Sequence, residues 1–413
     1  MRVLSPEPTV SKQPESGSRL PVLALTLMAL SGFIIIMTET LPAGLLPQLA
    51  ADFQVSNGTA GQLITVYALG TVVAAIPTIA LTRGASRKPL LVIGLLGFLV
   101  ANTLTAIAPT LAIALVVRFV AGAFSGLIWG MLAGYARRIA APEHAGRALA
   151  IAMAGTPLAL SIGTPLGAWL GSAVGWRWSF GGVSALAMVV VVLVLACVPN
   201  APGQRSDTRL SLGRVLVIPG VAVVLGVVFA WMLAHNLLYS YIAPYLQRAG
   251  VGLRPDLALF TFGVAALVGI GITGTLIDRA LRRLALASTA AFIVAGALLL
   301  AFSDSLPATI VAVVLWGVAF GGSATQLQTA IGNAAGESVD VANAMLTTAF
   351  NLAIFGGGAI GALLVDGSGP ATLPIAMISL SAVAFLAVAF GRKQAFPATV
   401  GRKAVVPSGD YLS

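Results

Sequence analysis

One carboxylate, one guanidinium and one imidazole of this 413-residue chain lie inside long apolar runs. Glu39 stands in GFIIIMTETLPAGLLP, Arg118 in ALVVRFVAGAF and His235 in WMLAHNLLYS. A carboxylate in hydrocarbon is costly unless it is paired, neutralised or in contact with a wet cavity. A carboxylate or an imidazole can exchange protons, and a guanidinium supplies a fixed positive charge. The pattern predicts a proton-exchanging site inside an apolar protein.

Each of these residues also has a structural interpretation. Glu39 can hydrogen-bond the neighbouring Thr38 or Thr40, or reach water at the outer surface. Arg118 can act as a strut that binds helix ends or backbone carbonyls. His235 can be an interior, hydrogen-bonded histidine. The sequence favours the functional interpretation for Glu39, leaves Arg118 open and favours the structural one for His235.

Membrane-spanning helices are the elements that must position these residues. Hydrophobic residues make up 58% of the chain and charged residues 9%, and the mean hydropathy is +0.99, so a soluble domain could not be covered with polar side chains. The basic residues behind the formal charge of +10 lie in short breaks between apolar runs. That placement indicates topology signals rather than nucleic-acid binding. A lone cysteine, Cys197, is interpreted as a small core residue.

Twelve stretches match the length of about 20 apolar residues that a spanning helix needs. With a cytoplasmic N-terminus, nineteen of the 23 Lys and Arg residues fall inside, three fall outside and Arg118 lies within a span. This bias predicts that both termini are cytoplasmic. The predicted spans are 20–46, 60–82, 89–108, 111–136, 147–171, 178–198, 214–246, 257–277, 284–303, 307–331, 342–365 and 371–391.

The chain is predicted to contain two six-helix bundles separated by its one long polar segment between helices. The tail before the first span is rich in Pro and Ser and is expected to be disordered and retained. The predicted organisation is an N-terminal tail at 1–19, a first bundle at 20–198, a cytoplasmic linker at 199–213, a second bundle at 214–391 and a cytoplasmic tail at 392–413.

Faint repetition relates the two predicted bundles. The basic corner that ends at Lys88 recurs at Arg283, and the glycine-rich run at Gly163 recurs at Gly358, each 195 residues later. Two related halves are typical of a transporter fold with its site between them.

Small residues form a continuous stripe along the fifth predicted span. Another helix can approach such a stripe closely, and plain packing is favoured over substrate contact. Pro157 and Pro165 would bend this span where the halves must move. The stripe consists of Gly155, Ala159, Gly163, Gly167 and Gly171.

Several of these stretches resemble the major facilitator superfamily. GTPLGAWLGSAVGWRWSF, residues 163–180, resembles its fifth-helix antiporter motif, with Thr164 inserted in a manner associated with bacterial drug and sugar efflux members. TETLPAGLLPQLAADF, RFVAGAFSG and AHNLLYSYIAPYL resemble its first, fourth and seventh helices. The resemblance covers residues 20–391 and is to the drug/sugar:proton antiporter branch, which includes arabinose and chloramphenicol efflux proteins.

The resemblance implies an all-α membrane protein of twelve helices in two pseudo-symmetric bundles, expected to be a monomer. Its first, fourth and seventh helices line a central cavity, which would bring Glu39, Arg118 and His235 together for proton coupling. Counted from Pro47 and Pro109, Glu39 and Arg118 each lie roughly 12 to 14 Å below the outer boundary. The candidate substrate-cavity residues are Thr38, Asn236, Tyr239, Tyr241, Gln326 and Asn351.

The superfamily's loop motif after the second helix is degraded here. Ile79 and Arg83 stand where its glycine and aspartate would be, whereas the second-half copy, GTLIDRALRR, is better preserved. By resemblance, Asp278 would pair with basic residues on the inner face and hold the outward-open state. A topology signal with a helix-end cap is the alternative. The candidate gating residues are Arg87, Lys88, Asp278, Arg279, Arg282 and Arg283.

The function implied is proton-coupled efflux of a small organic molecule, such as a drug or sugar, across the bacterial inner membrane. No enzyme, cofactor or metal site is predicted, because His144 and His235 lack ligand partners at metal spacing and no phosphate-binding glycine loop is present. The expected ligands are the substrate, protons and surrounding lipid, without nucleic acid. A proton-independent facilitator or importer and a non-transporting membrane sensor are the alternatives.

Overall fold

The computed structural model describes residues 20–82, 84–203, 212–391 and 395–396. The predicted tail at 1–19, most of the tail at 392–413, Arg83 and linker residues 204–211 lie outside this part. Within it, helices are the only regular secondary structure. The α-helices are α1 (Val22–Phe53), α2 (Asn57–Thr82), α3 (Arg87–Ala106), α4 (Leu111–Arg138), α5 (Ala145–Met153), α6 (Gly155–Leu158), α7 (Thr164–Val174), α8 (Trp176–Cys197), α9 (Leu212–Leu216), α10 (Val221–Ser240), α11 (Ile242–Ala249), α12 (Pro255–Ala301), α13 (Leu306–Gly321), α14 (Ser323–Ala335), α15 (Val339–Gly367) and α16 (Leu373–Phe390).

Eleven helical stretches of the described residues are long and apolar enough to cross a membrane, which confirms an all-α membrane protein. The count differs from twelve because α12 contains both predicted spans 257–277 and 284–303. Its two parts join at Ala280, where φ of −141° and ψ of 26° are not helical. Between Ile277 and Leu284 the chain has neither Gly nor Pro, so nothing there stops the helix outright.

The first helix is longer than its predicted span of 20–46. It passes through Pro42 and Pro47 and ends at Phe53, followed by Gln54 in the left-handed conformation. Glu39 therefore lies seventeen residues after the first residue of α1 and fourteen before its last. The predicted depth of roughly 12 to 14 Å was counted from Pro47, but α1 continues for six residues beyond Pro47, and Glu39 lies near the middle of this helix.

The fifth predicted span is interrupted twice, before Pro157 and between Pro157 and Pro165. Helices α5, α6 and α7 are separated at Ala154 and by a π-helical turn, Ala159–Gly163. The Ser161 hydroxyl within that turn donates to the carbonyl of Pro157. Such π turns are rare and often occur at functional positions. Helix α12 approaches this turn at Gly263, where an added side-chain carbon would collide with the backbone of Ser161.

The small-residue stripe packs against α1, the helix that carries Glu39. At Gly155 an added side-chain carbon would collide with the carbonyl of Ala29. Each later glycine faces the next turn of α1, so the stripe sets the distance between the two helices. The facing side chains are Phe33 and Met37 for Gly163, Leu41 for Gly167 and Leu45 for Gly171.

Only the ends of the predicted linker, 199–203 and 212–213, are described. The Tyr135 hydroxyl donates to the Pro199 carbonyl over 2.7 Å, and the Arg87 amide donates to the Ala201 carbonyl over 2.8 Å. The start of the linker is thus held against the ends of α3 and α4. The division into two six-helix bundles at this linker stays a prediction.

Candidate functional site

Arg118 on α4 is fully buried, with 1% of its surface exposed. Its Nε donates to the Leu63 carbonyl over 3.0 Å, one terminal nitrogen donates to the Glu39 carbonyl over 3.3 Å, and the other donates to the Thr38 carbonyl. The guanidinium also lies 4.6 Å from the centre of the Tyr67 ring. Arg118 therefore joins α4 to the backbones of α1 and α2, as the strut interpretation requires.

A proline in α1 explains why a buried arginine is needed here. In an unbroken helix the Thr38 carbonyl would accept from the amide of residue 42, but Pro42 has no N–H. A buried carbonyl without a donor costs about 1–3 kcal/mol. Arg118 supplies the missing donor. The Thr38 carbonyl, which Pro42 leaves without its helical hydrogen bond, is thus bound by a side chain of α4.

Glu39 is buried, with 8% of its surface exposed. Within the described part of the chain its carboxylate has no hydrogen bond or ion pair, because Arg118 binds the backbone carbonyl of Glu39 instead. A carboxylate in this position is stable when it is protonated or when it faces water or a ligand. Glu39 thus retains the capacity to exchange a proton.

The threonines beside Glu39 bind other groups. The Thr38 hydroxyl accepts from the Asn102 amide over 2.9 Å. Thr40 donates to the Ile36 carbonyl over 2.7 Å, and its oxygen lies 2.7 Å from the Thr164 hydroxyl at the start of α7. The structural alternative, in which Glu39 bonds Thr38 or Thr40, is not what the structure shows.

His235 on α10 is enclosed by aromatic side chains from three helices. Its ring lies 3.8 Å from that of Phe320 in a stacked arrangement, 5.1 Å from Tyr239 and 5.6 Å from Phe262, measured between ring centres. The Trp316 indole donates to His235 Nδ1 over 3.2 Å. An accepting Nδ1 carries no proton, so this contact holds a neutral imidazole, in keeping with the structural interpretation.

Tyr239 links this aromatic cluster to Glu39. It is buried, and its hydroxyl lies beside the hydroxyls of Thr40 and Thr164. Thr40 follows Glu39 in the chain, so the Tyr239 hydroxyl lies next to the turn of α1 that carries the carboxylate. By contrast, the amides of Asn236 and Asn351 donate to carbonyls one turn earlier in their own helices, at 2.7 and 2.9 Å.

Tyr241 and Gln326 lie apart from the group around Glu39. The Tyr241 hydroxyl donates to the Gly358 carbonyl over 2.8 Å. The Gln326 amide donates to Thr273 over 3.3 Å and to Ser288 over 3.2 Å. Because Ala280 lies between these two residues, Gln326 connects the two parts of the kinked α12.

Basic residues of the predicted gating loops bind backbone carbonyls at helix ends. Arg87 donates to the Thr82 carbonyl over 3.4 Å, and Lys88 donates to the Leu195 carbonyl over 2.8 Å. Arg282 donates to the Ala389 carbonyl over 2.9 Å. These contacts hold neighbouring helix ends together within one predicted bundle.

Asp278 does not form the predicted pairs with basic residues among the residues described. It is exposed, as are Arg279 and Arg283, and it makes no hydrogen bond or ion pair in that part of the chain. These exposed side chains lie just before and just after the kink of α12 at Ala280. The gate inferred from resemblance therefore stays a prediction, with no ion pair of Asp278 among the described residues.

Asn102, Thr164 and Tyr67 belong to the site but are not among the sequence-predicted residues. Each is uncharged and lies in an apolar run, so its type alone gives no signal. The contact made by Arg118 had one local sign, the proline four residues after Thr38. The structure thus brings Glu39, Arg118 and Tyr239 together, with His235 behind Tyr239.

Comparisons with known proteins agree with this architecture. The family model described as Major Facilitator Superfamily matches residues 28–357. Two proteins of Helicobacter pylori, from strains J99 and 26695, are each named "Probable sugar efflux transporter" and are 27% and 26% identical to this chain over 354 residues. The alignments cover 85% of this chain and 90% of each relative. The chain belongs to the Major Facilitator Superfamily, as a multi-pass membrane transporter and not an enzyme.

Proposed function

We propose that this protein exports a small organic molecule, a sugar in the first instance, in exchange for protons that enter the cell. It acts as a monomer in the bacterial inner membrane with both termini cytoplasmic. Its substrate site opens alternately to the two sides of the membrane. The observation that carries the proposal is the Glu39 carboxylate, which is buried in the middle of α1 without a hydrogen-bond or ion-pair partner among the described residues.

Glu39 supports proton coupling because the free energy of burying its side chain differs strongly between the protonated and the ionised state. The protonated acid is compatible with apolar surroundings, whereas the carboxylate requires a ligand, water or nearby positive charge. Arg118 provides that positive charge at a fixed place, since three backbone carbonyls hold its guanidinium. A proton and a hydroxyl-bearing substrate then compete to satisfy Glu39.

The hydroxyl groups around Glu39 support a sugar as substrate. Thr40 and Thr164 form a pair of hydroxyls, and the Tyr239 hydroxyl lies beside them, in front of the aromatic cluster. Hydroxyls, a carboxylate and an aromatic surface are suited to a polyhydroxylated molecule. The names of the two Helicobacter pylori relatives point to the same substrate class.

Everted membrane vesicles test this proposal. With an imposed gradient that is acidic inside, the parent protein should accumulate a radiolabelled sugar, and a protonophore should abolish the accumulation. Glu39→Gln, which keeps the shape of the side chain but cannot exchange a proton, should lose the gradient-driven accumulation and retain sugar-for-sugar exchange. Asp52→Asn, a carboxylate change at the helix end, is the matched control. Undiminished proton-driven accumulation in Glu39→Gln would remove Glu39 from the mechanism.

A drug as substrate is the second candidate, and it is supported by the apolar and aromatic content of the same surroundings. Phe262, Trp316 and Phe320 provide flat apolar surfaces that also suit an amphenicol-like compound. Drug susceptibility of cells that express the chain, with and without a protonophore, separates the two. Protection against a drug without any sugar export would favour the second candidate.

A further inference from the structure

Asp366, near the end of α15, contacts the start of α2 across the two predicted bundles. Its carboxylate accepts from the Ser56 hydroxyl over 2.6 Å and from the Gly58 amide over 3.0 Å. Ser56 itself caps α2, because its oxygen accepts from the amide of Thr59 over 3.0 Å. Asp366 therefore adds a second cap to the same helix from the other half of the chain.

The two helix ends differ in their electrostatic character, and this difference favours the contact. Asp366 lies in the last turn of α15 (Val339–Gly367), where the helix carbonyls make the surroundings negative. The first turn of α2 presents free amides and is positive. The carboxylate is unfavourable at the end of its own helix and favourable beside α2. It is best accommodated when the two helix ends are together.

Small residues let the two helices come this close. A side-chain carbon added at Gly58 would lie 2.7 Å from the Ala362 carbonyl and would collide with the Asp366 carboxylate. One turn further along α2, Gly61 faces the ring of Tyr241, and Thr65 then packs on Gly358 of α15. The contact therefore continues for about two turns below Asp366.

A further contact lies at the same end of the molecule. Arg254, at the start of α12, donates to the Ser172 hydroxyl near the end of α7 over 3.4 Å. At the opposite end, Asp278 is exposed and has no hydrogen bond or ion pair among the described residues. The conformation is thus closed at the α1–α2 turn.

We propose that Asp366 and Gly58 form a latch that keeps the α1–α2 turn end closed, and that release of this latch is a step of the transport cycle. Asp366 is a positioning residue and has no contact with the site around Glu39. The inference rests on the alternating-access part of the proposed function and is independent of the coupling ion and the substrate.

The accessibility of Thr65 tests the latch without any substrate. Thr65 is 3% exposed beneath the latch, so Thr65→Cys in a Cys197→Ser background reports opening through its reaction with a water-soluble maleimide. The protein is purified in lipid nanodiscs, where the reagent reaches both ends. Asp366→Ala removes the carboxylate, and Gly58→Ala keeps it but separates the helices. Asp52→Ala is the control, because Asp52 bonds Trp176 and Arg177 within the first predicted bundle.

Both latch variants should label about three- to tenfold faster than the parent, because each removes or separates the solvent-exposed hydrogen bonds between Asp366 and the start of α2. The control should label at the parent rate. An unchanged rate in either latch variant, or an equal increase in Asp52→Ala, overturns the proposal. Asp366→Asn replaces Asp366→Ala if circular dichroism shows that the latter is unfolded. Faster labelling in a protein that exports no sugar would support the latch and reject only the sugar proposal.

Discussion

Arg118 and His235 are both buried, but their side chains bind different kinds of partner. Arg118 binds three backbone carbonyls of α1 and α2, whereas His235 lies among aromatic rings and accepts one hydrogen bond from Trp316. Both side chains have hydrogen-bond partners, whereas the Glu39 carboxylate has none among the residues that the structure describes. Burial of an ionisable group alone therefore does not identify a proton carrier; a buried group without a partner is the stronger sign.

The largest effect is expected from Arg118→Met. This change removes three donors and leaves the Thr38 carbonyl without a partner, so it should lower the free energy of unfolding by about 2–4 kcal/mol. Denaturant unfolding in mixed micelles, followed by circular dichroism, measures it. Arg177→Met is the control, because the Arg177–Asp52 pair is exposed and should contribute about 0–1 kcal/mol. Equal losses in both variants would contradict the strut.

Pro42→Ala should partly rescue Arg118→Met. Alanine restores the amide that the Thr38 carbonyl lacks, so the double variant should be more stable than the sum of the single changes predicts, by about 1–2 kcal/mol. The same unfolding assay gives this coupling energy. Pro47→Ala, one and a half turns further along α1, is the control and should show no coupling to Arg118. Strict additivity of Pro42→Ala and Arg118→Met would contradict the account.

A smaller effect is expected in the aromatic cluster. Trp316→Phe removes the indole N–H that His235 accepts and should cost about 1 kcal/mol of stability. Proton coupling in vesicles should be unchanged, since His235 is satisfied and neutral in this arrangement. Trp231→Phe, a buried tryptophan outside this cluster, controls for the loss of ring volume. Loss of coupling in Trp316→Phe alone would make His235 a proton carrier.

The smallest effect is expected from Thr164→Val, which removes one hydroxyl of the pair with Thr40 and keeps the shape. If the pair contacts the substrate equally in all states, KM should rise about two- to tenfold with kcat unchanged. Thr289→Val is the control, because its hydroxyl only bonds its own helix. A fall in kcat with an unchanged KM would place Thr164 in the conformational change instead.

The spans and the site differ in how far the sequence predicts them. Hydropathy locates spanning helices because lipid requires each to be apolar over a fixed length. It misplaces the end of α1, where Pro47 is accommodated inside the helix, and it divides α12, whose kink carries no breaking residue. Such boundaries depend on neighbouring helices that a local pattern does not contain.

Residue type singled out Glu39 and Arg118 because charge in an apolar run is costly. The partners of Arg118 are backbone carbonyls, and the neighbouring Thr38 hydroxyl binds the uncharged Asn102, which no spacing rule connects to it. The contact of Asp366 with Gly58 joins residues 308 apart in sequence. Contacts of this kind depend on how the helices pack in the tertiary structure and not on the local sequence.

Substrate-induced proton release tests the central claim about Glu39 most directly. A sugar that the parent protein exports is added to purified protein in weakly buffered detergent, and a pH indicator follows the protons released. If proton and substrate compete at Glu39, the parent should release up to about one proton per protein at a pH where Glu39 is protonated, and Glu39→Gln should release none. Equal release from both proteins, with the sugar bound by both, would contradict the account.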